Sequence, residues 1–166
     1  MSNSRSSIPP QLTLAFMLSQ VGAQAAVKFA EKLKPHHLTP AHAGILRIIN
    51  QEVGISQQKL AKMLWIFPSR LVLLLDDLQH KGLIERTASA SDRRRSALHL
   101  TPRGQKVLQI IWRLAQEHQD NLCRSLNHKE QQILSQLLHK IAEEQGLAPG
   151  IHPGFKLLKF LKKDAC

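Results

Sequence analysis

Pro68–Gly104 reads PSRLVLLLDDLQHKGLIERTASASDRRRSALHLTPRG, and this stretch decides the fold. Its first half carries leucines at positions 71, 74, 75 and 78, the spacing of one buried helical stripe, and Gly82 is placed as the C-terminal cap. The second half contains two short strand-like runs, residues 83–87 and 96–100. The polar and basic residues 88–95 separate these runs, so we predict a β-hairpin with a basic tip, that is, a wing.

Two shorter helices are predicted before this stretch. Thr39-Pro40 supplies an N-cap followed by proline at the first helical position, which predicts a helix to about Asn50. Ser56 is placed as the N-cap of the next helix, which ends near Leu64. Two helices, a leucine-striped helix and a hairpin follow one another as in a winged helix-turn-helix, where the striped helix enters the DNA major groove. We therefore predict a mainly α fold with a small β-hairpin wing.

Three longer helices are predicted on either side of this region. They run from about Pro10 to Leu33, from Thr101-Pro102 to about Ser125, and from a capping box at Asn127 to Gly146. Along one face, the second of them carries Val107, Ile111, Leu114, His118 and Leu122. One winged module is too short to cover the apolar faces of these helices, so a twofold partner is expected. The leucine-striped helices of the two chains, which act as recognition helices in the major groove, would then lie about 34 Å apart. This spacing predicts a pseudo-palindromic DNA site.

We predict a single integrated domain with four parts. Residues 1–36 form an N-terminal dimerisation helix, 37–104 the winged helix-turn-helix, 105–146 the C-terminal dimerisation helices, and 147–166 a basic tail. The end of the tail, from Phe155 to Lys163, has two interpretations. It forms a short basic amphipathic helix, or it packs against the terminal helices with its lysines in water.

The composition favours a nucleic-acid partner over catalysis. The chain has 166 residues, and 23 Lys and Arg against 12 Asp and Glu give a net charge of +11, which favours a polyanion. A nucleophile elbow, a glycine-rich phosphate loop and a zincin motif are all absent from the sequence, and its nine histidines include no His-x-x-x-His pair. We therefore expect no catalytic site, no cofactor and no metal.

The two cysteines and the N-terminal region bear on the compartment. Cys123 and Cys166 form neither a disulfide framework nor a CxxC pair, which fits a reducing cytoplasm. The stretch from Ser6 to Val27 lacks charges, but it is too polar for a membrane span. A cytoplasmic protein without stable membrane association is expected.

The chain resembles the MarR family of bacterial transcription regulators. The resemblance rests on three joined motifs, Gly-Leu-Ile-Glu-Arg at residues 82–86, Asp-Arg-Arg at 92–94 and Leu-Thr-Pro-Arg-Gly at 100–104, and it spans about Leu12 to Phe155. It implies a homodimer in which the first, fifth and sixth helices interleave. Such a dimer binds double-stranded DNA at an inverted-repeat operator, as a regulator expected to be a repressor, without any enzymatic step.

The resemblance also assigns roles in the wing. Arg94 matches the arginine of the family's Asp-x-Arg motif, which enters the minor groove. Asp92 is expected to pair with a neighbouring arginine and so fix the wing, because a carboxylate facing phosphate would be repelled. Arg93 and Arg95 either contact phosphates or the groove, or remain solvated.

The helices supply further DNA-binding candidates. The third helix begins with polar residues and free backbone N–H groups that suit phosphate, at Ser56, Gln57, Gln58 and Lys59. The recognition helix begins with Pro68, Ser69 and Arg70, of which the last two are the main candidates for base contacts.

The recognition helix and the turn before it depart from the family pattern. Val72 and Leu73 stand where Ser or Thr and then Arg are common, and they either touch thymine methyl groups or pack against a partner element. Trp65 occupies a turn where glycine is usual, and Phe67 replaces the expected capping residue. Direct base readout is therefore expected to be reduced.

Two further interpretations concern ligands. The resemblance implies a pocket for a small aromatic or anionic effector between the dimer helices and the winged module, lined by Phe16, Gln20, His42, Leu46, Arg86 and Trp112. The alternative to a DNA regulator is a basic helical module that binds RNA or an anionic membrane surface through the tail.

Overall fold

The structure, a computed structural model, describes residues 13–88, 96–152 and 155. Its elements, in chain order, are α1 (Leu14–Leu33), α2 (Pro40–Gln51), β1 (Ile55–Ser56), α3 (Gln57–Leu64), α4 (Pro68–His80), β2 (Ile84–Ala88), β3 (Ser96–Leu100), α5 (Pro102–Leu122) and α6 (His128–Glu144). The six predicted helices and the two predicted strands are confirmed. Two predicted bounds are wrong: the first helix begins at Leu14, after the extended N-cap residue Thr13, rather than near Pro10, and α5 ends at Leu122 rather than near Ser125.

Side-chain caps set the helix starts, as the sequence predicts. Ser56 Oγ accepts the backbone N–H of Lys59 at 3.2 Å, and the Thr101 hydroxyl accepts that of Gly104 at 3.0 Å. The capping box at Asn127 is also present, because the Asn127 side chain accepts the N–H of Glu130 and the Glu130 carboxylate accepts the N–H of Asn127. These bonds satisfy backbone donors that a helix start would otherwise leave unpaired.

The sheet has three antiparallel strands in the order β1-β3-β2, not the predicted two. In β1, Ile55 pairs with Leu98 and Ser56 with Ala97. The sequence analysis missed β1 because two residues are too few to display an alternating pattern. This short strand fixes the N-terminus of α3 beside the base of the wing.

The core lies between the winged-helix elements and the first half of α5. The leucine stripe of α4 is buried as predicted, with Leu71, Leu75 and Leu78 completely inaccessible and Leu74 partly buried. On α5, Ile111 of the predicted face is buried, but Leu108 is buried more deeply and was not predicted.

Helix α6 contributes nothing to this core. It has no buried residue, and its apolar side chains are between 38% and 52% exposed in the single chain: Ile133, Leu134, Leu137, Leu138 and Ile141. Large apolar residues of α1 are exposed as well, among them Phe16, Met17 and Val21. Nothing in the described part of the chain has the combination of helix length and apolar character that a bilayer span needs.

The chain turns back towards the winged-helix elements after α6. Phe155 is only 6% exposed and packs against Gly44 of α2. Phe155, the one described residue of the predicted segment 155–163, therefore lies against α2. The rest of the predicted basic segment, residues 156–163, lies outside the described residues.

Candidate nucleic-acid interface

The start of α4 presents polar groups to solvent. Pro68 and Ser69 are exposed and Arg70 is half-buried, so the first turn of the predicted recognition helix is uncovered in the single chain. Proline at the first helical position presets the backbone and loses no hydrogen bond there. This turn can therefore enter a groove with its hydroxyl and guanidinium groups ahead of the rest of the helix.

The start of α3 lies next to this turn. Gln58 is exposed and the Ser56 hydroxyl is occupied as the helix cap, while the Lys59 ammonium forms an ion pair with Glu52. A groove of about 540 Å³ separates α3 from the start of α4 and is lined by Gln58, Ala61, Lys62, Trp65, Ile66 and Pro68. Lys62 is exposed in this groove and was missed, although it lies four residues after Gln58 and so on the same helical face.

Further along α4 the exposed face becomes apolar. Leu73 is 58% exposed and Val72 is half-buried. The described residues therefore cover less than half of Leu73, so both a thymine methyl contact and a contact with a partner element stay open to it.

The wing is described only at its base. Strands β2 and β3 pair in register from Ile84 opposite Leu100 to Ala88 opposite Ser96. The predicted contacts Arg93, Arg94 and Arg95, and the predicted structural residue Asp92, all lie outside the described residues. Since β1 pairs with β3, the strand that leads directly into α3 and the base of the wing belong to one sheet.

Two contacts of neighbouring aspartates link α4 to other elements. Arg86 Nη2 on β2 donates to Asp76 Oδ1 at 2.5 Å, which connects the wing to the recognition helix. Asp77 pairs with Lys81 and also lies 3.3 Å from Nε2 of His42 on α2. The hydrogen bond from Lys81, more than any other contact, lowers the pKa of Asp77.

His42 connects α2 to α4 as a neutral side chain. Its Nδ1 accepts the backbone N–H of Thr39 at 3.3 Å, so the ring proton belongs on Nε2, which faces Asp77. Burial lowers the pKa of His42, and Lys81 adds to that effect, whereas Asp77 opposes it. The ring therefore completes a capping box at the start of α2 and donates towards the recognition helix.

The six predicted effector-binding residues occupy different environments in the single chain. His42 and Leu46 are part of the core, and Arg86 is engaged with Asp76. Phe16, Gln20 and Trp112 are exposed on α1 and α5. The effector pocket stays a prediction.

Comparisons with known proteins agree with this arrangement. The MarR family model matches residues 38–96, which run from two residues before α2 to the first residue of β3. A Thauera aromatica protein named as a transcriptional regulatory protein for the hcr operon is 32% identical over 112 residues, 68% of each chain.

Two solved structures of DNA complexes are similar to the chain. The transcriptional repressor CouR, bound to a 23-mer DNA duplex, has 31% sequence identity and a TM-score of 0.71, over 82% of this chain and 99% of that one. A mutant MarR from E. coli, complexed with operator DNA, has 27% identity and a TM-score of 0.67, over 77% of this chain and 92% of that one. These similarities favour DNA over RNA or a membrane as the partner.

Proposed function

The chain belongs to the MarR family of transcriptional regulators, and we propose that it acts as a homodimer that binds a pseudo-palindromic operator and represses transcription. Members of this family are regulators and not enzymes. One observation carries the proposal: the uncovered first turn of α4 lies beside the N-terminus of α3, which β1 joins to the wing. Residues that contact bases, residues that contact phosphates and a wing that enters the minor groove can thus lie on one surface.

Each part of the interface has a proposed role. Ser69 and Arg70 read bases, while Ser56 to Lys59 contact phosphates from the start of α3. Arg94 enters the minor groove, Arg93 and Arg95 contact phosphates or the groove, and Asp92 fixes the wing.

The dimer is proposed because long apolar faces remain uncovered in one chain. The exposed apolar side chains of α6 and α1 have no covering element among the described residues, and a twofold partner would bury them. Residues 1–36 and 105–146 are thus assigned to dimerisation and 37–104 to DNA binding. A small aromatic or anionic effector near the six residues named above, and a cytoplasmic location, complete the proposal.

Selection from a randomised duplex library at about 150 mM salt tests this function. We expect enrichment of an inverted repeat with half-sites about 34 Å apart, since specificity must exceed the electrostatic background. Replacing Arg70 with Ala should cost about 1–3 kcal/mol on the selected site and relax one position in each half-site. Lys129→Ala on α6 removes the same charge away from the interface and should leave specificity unchanged.

Failure of the proposal has a definite signature. A folded dimer that enriches no duplex, but binds single-stranded RNA or anionic vesicles with higher affinity than DNA, would assign the basic surface to another partner.

A further inference from the structure

The segment after α6, residues 146–152 together with Phe155, lies against the helix-turn-helix, and we name it the C-terminal strap. Helix α6 ends in a Schellman motif, where Leu147 N–H bonds to Ala142 O and Gly146 N–H to Glu143 O, both at 2.9 Å. Gly146 has the left-handed conformation that this motif requires, with φ 61°. The chain therefore leaves the dimer helices at a defined angle.

The strap contacts α2 at two places. The Phe155 ring fills the notch at Gly44, where a Cβ would lie 3.0 Å from Cζ of the ring. Gly150 approaches Arg47 so closely that a Cβ there would lie 2.7 Å from Nη1. Ile151, between these two points, packs against the hydrophobic core.

The strap also lies against the turn between α3 and α4. Leu64 and Trp65 line one side of a cavity of about 60 Å³, and strap residues that include Leu147, Ala148 and Ile151 line the other. A cavity of this size holds a few atoms at most, so the two sides are close neighbours. The strap therefore runs from the end of α6 to Trp65, the C-cap residue of α3.

Trp65 has an unusual backbone conformation at this contact. Its φ is 56°, and it occupies the glycine position of a Schellman motif, with Ile66 N–H bonded to Ala61 O and Trp65 N–H to Lys62 O, both at 3.2 Å. A side chain other than that of glycine disfavours this conformation, so neighbouring residues have to hold it in place. Trp65 is 56% exposed, and the strap residues that share the small cavity with it are placed to do this. Two residues later Phe67, the N-cap of α4, fixes the entry into the recognition helix.

We propose that the C-terminal strap positions the recognition helix by holding Trp65, and that operator specificity depends on this contact. The inference rests on the proposed function, because positioning matters only if α4 reads DNA. If the strap is displaced, the turn relaxes and the first turn of α4, with Ser69 and Arg70, loses its setting. Trp65 and the strap are then one coupled unit, and disruption of either has the same consequence.

The test is a double-mutant cycle in the full-length chain. The strap variant combines Ile151→Ala and Phe155→Ala. The turn variant is Trp65→Ala, which removes the ring but keeps the conformational penalty of a side chain at φ 56°. A third protein carries all three changes. Val53→Ala is the control, because it removes apolar groups from a side chain that lies outside the strap and is 77% exposed. For each protein, one measures affinity for the selected operator and for a random duplex at the same salt, together with helical content and melting temperature.

The strap variant and the turn variant should each lower operator affinity about tenfold while changing random-duplex affinity less than twofold. The combined protein should lose no more than the larger single change, because coupled sites are not additive. The control should bind as the unaltered chain does. Unchanged specificity in a folded strap variant, or two losses that multiply, would overturn the proposal.

A second readout does not depend on DNA. In a Trp112→Phe background Trp65 is the single tryptophan, and acrylamide quenching of its fluorescence should increase in the strap variant but not in the control. If the unaltered chain selected no operator, the proposed function would fail while this readout still tested the strap contact. Equal quenching with and without the strap changes would show that the strap does not hold Trp65.

Discussion

His42 shows how one side chain couples helix capping to the position of another helix. It completes the capping box of α2 only while Nδ1 is unprotonated, because a protonated ring has no acceptor for the N–H of Thr39. The sequence predicts the Thr39 cap, but it does not indicate that the partner is a histidine whose other nitrogen faces Asp77 on α4. Such a contact depends on how α2 packs against α4, which no local pattern encodes.

The lowered pKa of His42 predicts a loss of stability in mild acid. The folded state binds fewer protons than the unfolded chain, whose histidines titrate near 6.5, so the free energy of unfolding should fall as the pH drops below about 6.5 towards the lowered pKa. The slope from one group cannot exceed about 1.4 kcal/mol per pH unit. His42→Gln keeps a capping-box acceptor without titrating, so urea unfolding between pH 7.5 and 5 should show a shallower slope.

His118 supplies the comparison for this measurement. Burial also lowers the pKa of His118, whose ring lies 5.6 Å from that of Phe29, and the charge of Lys32 lowers it further. His118→Gln should therefore also make the free energy of unfolding fall less steeply as the pH drops. An unaltered slope in His42→Gln would contradict this prediction, because it would mean that His42 binds its proton equally well in the folded and the unfolded chain.

At the scale of elements, α5 packs unusually close to the chain that enters β2. A Cβ built on Gly104 would lie 1.9 Å from the carbonyl oxygen of Leu83, which also accepts the N–H of Thr101 at 3.1 Å. The glycine of the Leu-Thr-x-x-Gly pattern thus has a structural reason, since only a residue without a side chain allows this approach. Gly104→Ala should separate the helix from the strand and cost about 1–3 kcal/mol, as overpacking does.

Chemical denaturation at constant pH measures this cost, with Gly22→Ala as the matched control. Gly22 lies inside α1, and a Cβ there would meet nothing within 4 Å, so alanine should stabilise the chain by up to about 1 kcal/mol through helix propensity. If Gly104→Ala unfolded at the same denaturant concentration as the unaltered chain, the close approach of α5 to Leu83 would be wrong.

The elements that the sequence predicts have strong local signals, and those that it misses do not. Caps and prolines mark the starts of α2, α4 and α5, and a 3.6-residue apolar stripe marks α4. Strand β1 is fixed by its partner β3 and not by its own two residues. In the same way, Lys59 is an obvious basic candidate in the sequence, but its pairing with Glu52 depends on the turn between α2 and α3.

At the scale of the whole molecule, the apolar side chains fall into two groups. One group fills the core of the winged-helix region, and the other lies exposed on α1 and α6. The periodicity of α6 predicts an apolar face, but it cannot say whether the same chain or a partner covers that face. In the structure α6 has no buried residue, although its apolar residues are aligned on one face. The described part of the same chain therefore does not cover that face.

Leu137 tests the proposed dimer most directly. It is 52% exposed in the single chain, so Leu137→Glu should leave the helical content and the winged-helix core unchanged. In a dimer it would bury two unpaired carboxylates, and we expect the dimer dissociation constant to rise by about 100-fold or more. Operator affinity should fall with it, because a monomer reads only one half-site.

Sedimentation equilibrium measures the association, and Gln136→Glu is the matched control. It adds the same charge to the neighbouring exposed position of α6, about 100° around the helix from Leu137. That protein should remain a dimer and bind the operator as before. If Leu137→Glu stayed dimeric at the same concentrations, α6 would not form the interface, and if it became monomeric but kept its operator affinity, dimerisation would not be required for DNA binding.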